Sequence, residues 1–300
     1  MPFLTRREYF ASLAILAAQP LKAQAPKGKR ITLGFSNYGM KFLAPLQAIE
    51  IIRKTGFNSL ELCLMPGWPT EAVKLAFDGR GKIKKAIQDS NLVLTALMEH
   101  LVPSTDPAQP GEPTVRLQQA FELARDLGGD HPPLVQTVLG GGDWEKLKEG
   151  YKKTLSSWVE LAKKHQVVLA IKPHRSGAMS LPSQAKWLWE ETGKSPWLKV
   201  VYDPSHLVFR GLDLEKELRG ILPILGHVAV KDAVQKEGKV VFELAGTTGQ
   251  IDYAPLLKTL KEAGYQGDIN CEVSSMVSSR EGYDPVSAAK TCQEKMSEFF

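Results

Sequence analysis

The sequence predicts an α/β protein of the (β/α)8, TIM-barrel class. Three observations carry that reading. From residue 31 onward, short β-branched runs alternate with longer amphipathic ones, the two periods that strands and helices impose. Eight strand-then-helix units fit into the remaining chain, close to the ~250 residues usual for such a barrel. The first strand is not followed by the G-x-G-x-x-G turn that a doubly wound sheet would usually carry, since Gly34-Phe35-Ser36-Asn37-Tyr38-Gly39 lacks its spacing.

Taken in order, strand Ile31–Ser36 precedes helix Pro45–Lys54, which Gly56 closes. Strand Ser59–Cys63 precedes helix Lys82–Ser90, whose Lys82-Ile83-Lys84-Lys85 run reads as a solvated face. Strand Leu92–Met98 leads to helix Thr114–Leu127, with Gly128 as its C-terminal glycine. Strand Leu134–Leu139 leads through Gly140-Gly141-Gly142 to helix Trp144–His165, with Asp143 as N-cap. That glycine triplet lacks the lysine and spacing of a phosphate loop and reads as a flexible βα connection. Strand Val167–Lys172 and helix Pro182–Glu191 follow, then strand Lys199–Asp203 and helix Leu214–Gly220. Strand His227–Lys231 and helix Tyr253–Ala263 come next, then strand Ile269–Val273 and a closing helix from Pro285 to Glu298. Ser183 and Asp252 are weaker caps. Each strand has four to seven residues, as buried parallel strands do.

With 300 residues, 43% apolar and 24% charged, the chain has the composition of a soluble globular protein and can bury a sizeable core. Residues 1–25 stand apart. The arginine pair Arg6-Arg7, a modest apolar run from Phe10 to Ala18 and the small-x-small site Ala23-Gln24-Ala25 read as a bacterial export signal of the twin-arginine type. An amphipathic N-terminal helix is the alternative. The apolar run is far shorter than the ~20 residues that cross a bilayer. Cleavage would leave one domain over residues 26–300, in the periplasm or outside the cell, with no membrane segment. The formal charge of +5 then falls to +3, and no basic stripe with interleaved aromatics appears, so nucleic acid is not the expected partner. Cys63, Cys271 and Cys292 are far apart in sequence and lack metal-ligand spacing; an oxidising compartment permits one disulfide without requiring it.

Catalytic groups of a barrel sit at the C-terminal ends of its strands. Here the second strand carries Glu61, and the third runs into Glu99-His100. The fifth ends Lys172-Pro173-His174-Arg175, and the sixth ends Asp203-Pro204-Ser205-His206. The seventh contains His227 and ends Lys231-Asp232, and the eighth carries Glu272. A single charged strand end reflects a chain that is surfacing. Six of them ring one mouth, where mutual perturbation of pKa values suits acid–base chemistry. Parity puts Val168, Ala170 and Lys172 on one face, His227, Ala229 and Lys231 on another, and Asn270 with Glu272 on a third.

The runs Val-Tyr-Asp203-Pro-Ser-His206, Val-Ala-Val-Lys231-Asp232 and Ile-Asn-Cys-Glu272, in this order, resemble the sugar phosphate isomerase/epimerase superfamily, the xylose isomerase-like TIM barrels. The segment from Leu244 to Asp252, with Gly264-Tyr265-Gln266-Gly267 after the next helix, resembles that family's run between strands seven and eight. The resemblance covers about residues 30–298. It implies a divalent metal held by Glu, Asp, His and Glu from strands five to eight, polarising a sugar carbonyl or enediolate while acidic groups move a proton. Asp203 and Glu272 match two of those ligands, and His206 matches a residue that commonly contacts substrate. The other two ligand positions depart, with Lys172 and Ala229 in them and His227 one layer deeper. A protonated lysine cannot ligate, and two carboxylates make a poor transition-metal site. The cofactor expectation is therefore either none or a divalent Mn, Mg, Co or Zn on Asp203 and Glu272. In the metal-free case Lys172 stands in the metal's place, neutralised by the two carboxylates, which hold its pKa up. A plain ion pair sealing an inactive barrel is the competing view.

The expected function is an exported carbohydrate-active isomerase or epimerase moving a proton next to a sugar carbonyl. Its expected core is Lys172, Asp203, His206 and Glu272, with Glu61, His100, His174, Arg175 and Lys231 as substrate contacts or support. His174-Arg175 suits an anionic or polyhydroxy ligand. Trp68 suits sugar stacking, whereas Trp187, Trp189 and Trp197 suit packing. The Pro-rich loop Val102–Pro113 is long enough to be functional or mobile. A lyase or hydrolase of keto-glycosides would use the same mouth, a non-catalytic sugar-binding barrel would bind without turnover, and a multi-metal repair nuclease fits least. The partner is a small carbohydrate, and the oligomeric state is open.

Overall fold

Alternating apolar residues drive each strand to bury one face against helices and the other inside the barrel. The computed structural model describes residues 31–103 and 111–300. The expected export signal and the centre of the 102–113 loop lie outside the described residues. The strands are β1 (Thr32–Ser36), β2 (Ser59–Cys63), β3 (Val93–His100), β4 (Leu134–Val138), β5 (Leu169–Ile171), β6 (Leu198–Tyr202), β7 (Leu225–Val230), β8 (Asp232–Lys236), β9 (Lys239–Glu243) and β10 (Asp268–Cys271). All but β8 and β9 join a closed parallel barrel in the order β1-β10-β7-β6-β5-β4-β3-β2. The chain is thus a (β/α)8 TIM barrel, with β10 as its eighth strand.

The helices are α1 (Pro45–Thr55), α2 (Phe77–Asp89), α3 (Gly111–Gly128), α4 (Trp144–His165), α5 (Pro182–Glu191), α6 (Leu214–Ile221), α7 (Tyr253–Glu262), the short α8 (Ser275–Ser278) and α9 (Pro285–Ser297). Outward strand residues such as Phe35, Leu62, Leu97 and Ile171 meet inward helix residues such as Ile52, Phe121 and Trp158 in the main core. Asp143 caps α4 by accepting from the Lys146 N–H at 3.0 Å, and Asp252 caps α7 through the Ala254 N–H at 3.0 Å. Two expected signals shift. The left-handed residue after α3 is Gly129, at φ 60°, one position beyond Gly128, which remains helical. Ser183 lies inside the first turn of α5, where the Gln184 side chain instead accepts the Leu181 N–H at 3.0 Å. All three cysteines are free and buried.

The barrel interior is small and apolar at mid-height, where Ala96, Leu134, Ala170, Val201 and Ala229 cluster. Its floor is polar. Asp268 accepts from Ser59 Oγ at 2.6 Å, Thr95 Oγ1 at 2.9 Å, Asn270 Nδ2 at 3.0 Å and Thr32 Oγ1 at 3.2 Å. Thr95 reaches it because the β2–β3 register shifts between Leu60 and Glu61, leaving Thr95 without a partner across the ladder. Gly34 is required beside this network, since a Cβ there would lie 2.6 Å from Asp268 Oδ2 and 2.7 Å from Asn270 Nδ2. Gly34→Ala is therefore expected to cost about 1–3 kcal/mol of overpacking strain. Urea unfolding checks this, and an unchanged midpoint would contradict it.

Candidate active site

At the C-terminal ends of β5, β6, β7 and β10, parity turns Lys172, Asp203, Lys231 and Glu272 toward the axis. All four are buried, and together they close a ring of alternating charge. Lys172 Nζ lies 2.9 Å from Asp203 Oδ2 and 2.7 Å from Glu272 Oε2. Lys231 Nζ lies 2.6 Å from the same Asp203 oxygen and 2.8 Å from Glu272 Oε1. Two ammonium groups thus balance two carboxylates. Sequence reasoning placed Lys172 in this cluster but treated Lys231 as a peripheral contact. The parity of His227, Ala229 and Lys231 was the signal that could have raised it to the same height as Lys172.

The ring fixes its own protonation. Burial works against charge on Lys172, but Asp203 and Glu272 outweigh it and hold the ammonium above the usual lysine range. Burial likewise opposes charge on Asp203 and Glu272, and the two lysines overcome it, holding both carboxyls well below the usual range. Asp203 also accepts from Ser205 Oγ at 2.5 Å and from the Ser205 N–H at 3.1 Å.

Above the ring is a cavity of about 250 Å³. Its wall includes six of the nine expected site residues: Lys172, Glu272, Lys231, His100, His174 and Arg175. The other three are set back. Asp203 sits beneath the lysines, with its side chain fully buried. His206 lies behind His174, with ring centroids 4.2 Å apart, and against Phe242 of β9 at 5.2 Å. Glu61 lies deeper, accepting from Gln136 Nε2, with His227 Nε2 3.5 Å from its carboxylate. Ala229 belongs to the apolar layer below Lys231. Trp68 does not line the cavity; it stacks on Tyr38 (5.4 Å, 11°), which lines the cavity together with Phe242. Glu99 borders the cavity wall but its carboxylate is taken up by Arg116 of α3. Trp187 makes an edge contact with Trp144, and Trp189 donates to Ser195 O, the packing roles expected of them.

Three histidines here are held neutral. Burial lowers His100 and His174 from 6.5 to about 4, and holds His206 well below 6.5. The Ser176 N–H donates to His174 Nδ1 at 3.3 Å, which leaves the His174 proton on Nε2. The Arg175 N–H points at His206 Nδ1 at 3.5 Å, so His206 turns Nε2–H toward Asp203, 3.4 Å away. The His100 carbonyl accepts from Arg116 Nη2 at 3.3 Å, but its imidazole ring has no hydrogen bond to any described residue and is available to a ligand. Asp232, next to Lys231, points away from the cavity. It accepts from the N–H groups of Gly246 and Thr248 and from Tyr253 Oη, while Tyr253 Oη also donates to the Lys231 carbonyl. The 244–252 run thereby locks the strand end that carries Lys231.

A divalent metal does not fit this donor set. Each carboxylate already faces two ammonium groups, and the remaining two positions are Lys172 and Ala229. No cluster of three or more His, Cys, Asp or Glu suited to a metal occurs among the described residues.

A family model described as xylose isomerase-like TIM barrel matches residues 49–293. A Mus musculus protein named "Putative hydroxypyruvate isomerase" is 31% identical over 94 residues, which is 31% of each chain, so the match spans under a third of that relative. The solved 3-keto-D-glucoside 4-epimerase of E. coli superposes with a TM-score of 0.69 at 14% identity, covering 90% of this chain and 99% of its own. A structure described as the probable 3-DHS dehydratase of Bacillus anthracis gives a TM-score of 0.71 at 13% identity, covering 89% and 99%. At these identities the structural likeness concerns the fold.

The depressed histidines set a pH dependence. Their folded pKa lies below the unfolded value of 6.5, so their contribution is complete above pH 6.5 and is lost as pH falls toward 4. Stability is expected to drop across that window by about 2 kcal/mol per imidazole, with a shallower slope for His100→Asn. Urea midpoints at pH 7.5, 5.5 and 4.5 check it; a flat profile would contradict it.

Proposed function

Because the chain belongs to the xylose isomerase-like TIM-barrel family, we propose that it is an isomerase- or epimerase-type enzyme that moves a proton next to the carbonyl of a small sugar. The observation that carries this reading is the charge-balanced ring at the floor of the cavity. Lys172 and Lys231 present two fixed positive charges where the carbonyl oxygen of a bound sugar would lie. Ammonium groups held in place in a water-poor site stabilise an oxyanion without reorganising during the reaction. They take the electrostatic part that the resemblance assigns to a divalent metal, and no metal is needed for it.

The proton acceptor is set by which wall group is unengaged, not by pKa, since burial also lowers His100 and Glu99 is held by Arg116. Glu272 is a poor base because two lysines hold its carboxyl far down. His174 has its unprotonated nitrogen occupied by Ser176. His100 is neutral, lines the cavity and keeps an available ring. In the proposed step the C–H electron pair next to the carbonyl becomes the C=C of an enediolate, and the proton moves to His100. The carbonyl oxygen takes the negative charge beside Lys172 and Lys231. Return of the proton to the neighbouring carbon, with the hydroxyl proton on the adjacent oxygen passing to the former carbonyl oxygen, gives the isomer. The epimer needs a proton delivered to the original carbon from the opposite face by a donor other than His100. The same enediolate can expel an oxygen substituent from the next carbon, the lyase outcome, and the dehydratase-like fold relative makes that route worth assaying. The export reading of residues 1–25 places the substrate among sugars met outside the cytoplasm.

Proton–deuterium exchange in heavy water, followed by NMR over a panel of free, oxidised and glycosidic sugars, tests the proposal. Exchange is expected to survive EDTA, and to fall about 10²–10³-fold in Lys172→Met and in Lys231→Met, the loss typical for one oxyanion donor. His100→Asn is expected to lose exchange while keeping substrate binding. Exchange abolished by EDTA and restored by Mn(II) would refute the lysine mechanism, and binding without exchange for every sugar would favour a non-catalytic barrel.

A further inference from the structure

We propose that the cavity takes a sugar bearing a carboxylate, and that the guanidinium of Arg175 holds that carboxylate. The inference rests on the reading of this site as sugar-binding and names its substrate class. The charge count around the cavity carries it. Lys172 and Lys231 are both matched by Asp203 and Glu272. Glu99, the remaining wall carboxylate, pairs with Arg116. Arg175 is then the cation on the wall without a carboxylate among the described residues, and its guanidinium donates no hydrogen bond to any of them.

The surroundings of Arg175 sharpen the imbalance. Its guanidinium carbon lies 5.5 Å from the Phe242 ring and 6.0 Å from the Phe209 ring, so two aromatic faces, and no carboxylate of a described residue, flank it. Lys231 Nζ approaches the same Phe242 ring to 5.1 Å. Arg210 Nη2 donates to the Arg175 carbonyl at 3.4 Å, bringing a further positive charge to this rim. The main chain of Arg175 is held from both sides, by Arg210 and by the contact of its N–H with His206. The side chain therefore starts from a fixed anchor while its planar donor fork is left open. A half-buried guanidinium of this kind is matched best by a carboxylate, which can accept two parallel N–H bonds. A neutral hydroxyl has a single oxygen, cannot offer the two side-by-side acceptors of a carboxylate, and leaves the charge uncompensated. A carboxylate on Arg175 would also orient the sugar with its carbonyl toward the two lysines.

The test compares binding of acidic sugars with neutral partners by calorimetric titration: D-glucuronate against D-glucuronamide, D-galacturonate against D-galactose, and D-fructuronate against D-fructose. At least one acid is expected to bind about tenfold or more tightly than its partner, with Arg175→Met abolishing the difference and Arg175→Lys restoring part of it. Lys172→Met is expected to keep the preference for the acid while losing deuterium exchange. Equal affinity within every pair, a preference that survives Arg175→Met, or no binding of any acid would each overturn the proposal. Arg175-dependent binding of an acid with no exchange would leave this inference standing and remove the proton-transfer reading instead.

Discussion

Four side chains at neighbouring strand ends, alternating in sign, set the character of this barrel's mouth. Lys172, Asp203, Lys231 and Glu272 follow β5, β6, β7 and β10, which are consecutive around the barrel. Adjacent strands lie about 4.8 Å apart, so an alternating sequence of charges at one height makes each group the natural partner of the next. The length of the Lys172 side chain closes the ring across to Glu272 at 2.7 Å. The four stand or fall together. Taking away one member leaves a buried charge without its partner, which typically costs 3–5 kcal/mol. The carboxylates stay ionised and Lys172 stays charged because each supplies the field the other needs.

The rest of the mouth serves this arrangement. Asp232 ties the 244–252 run to Tyr253 and so fixes the strand end behind Lys231. The β8–β9 hairpin brings Phe242 against His206 and within reach of Lys231, which keeps water from one side of the ring. Below, an apolar layer that includes Ala96, Ala170 and Ala229 separates the ring from the floor, where Asp268 accepts from Ser59 and Thr95. Neutral imidazoles line the upper wall because burial removes their charge.

Much of this was legible in the sequence, because it follows from period and parity. The eight barrel strands, the helices between them and the inward placement of Lys172, Asp203 and Glu272 need only alternation and a closed sheet. The boundaries of Trp144–His165 and Pro182–Glu191 coincide with the prediction because capping and flanking residues mark them. What escaped depends on contacts between distant segments. The β8–β9 hairpin carries no apolar alternation strong enough to announce it, since its tip is exposed and lysine-bearing. The extension of β3 to His100 follows from pairing with Val138 of β4, which a single strand cannot reveal. Trp68 reads as a ligand-stacking residue by composition, but Tyr38 lies between it and the cavity. Likewise His206 and Glu61 point the expected way and are covered by His174 and Gln136.

Whether two ammonium groups fill the place of a dication is tested most simply by titrating metal into the protein. Mn(II) added to the purified chain at pH 7.5 and followed by electron paramagnetic resonance should keep its free-ion signal at one equivalent. Loss of one equivalent of signal in the wild-type chain, recovered in Asp203→Asn, would place a metal between the carboxylates and contradict the account.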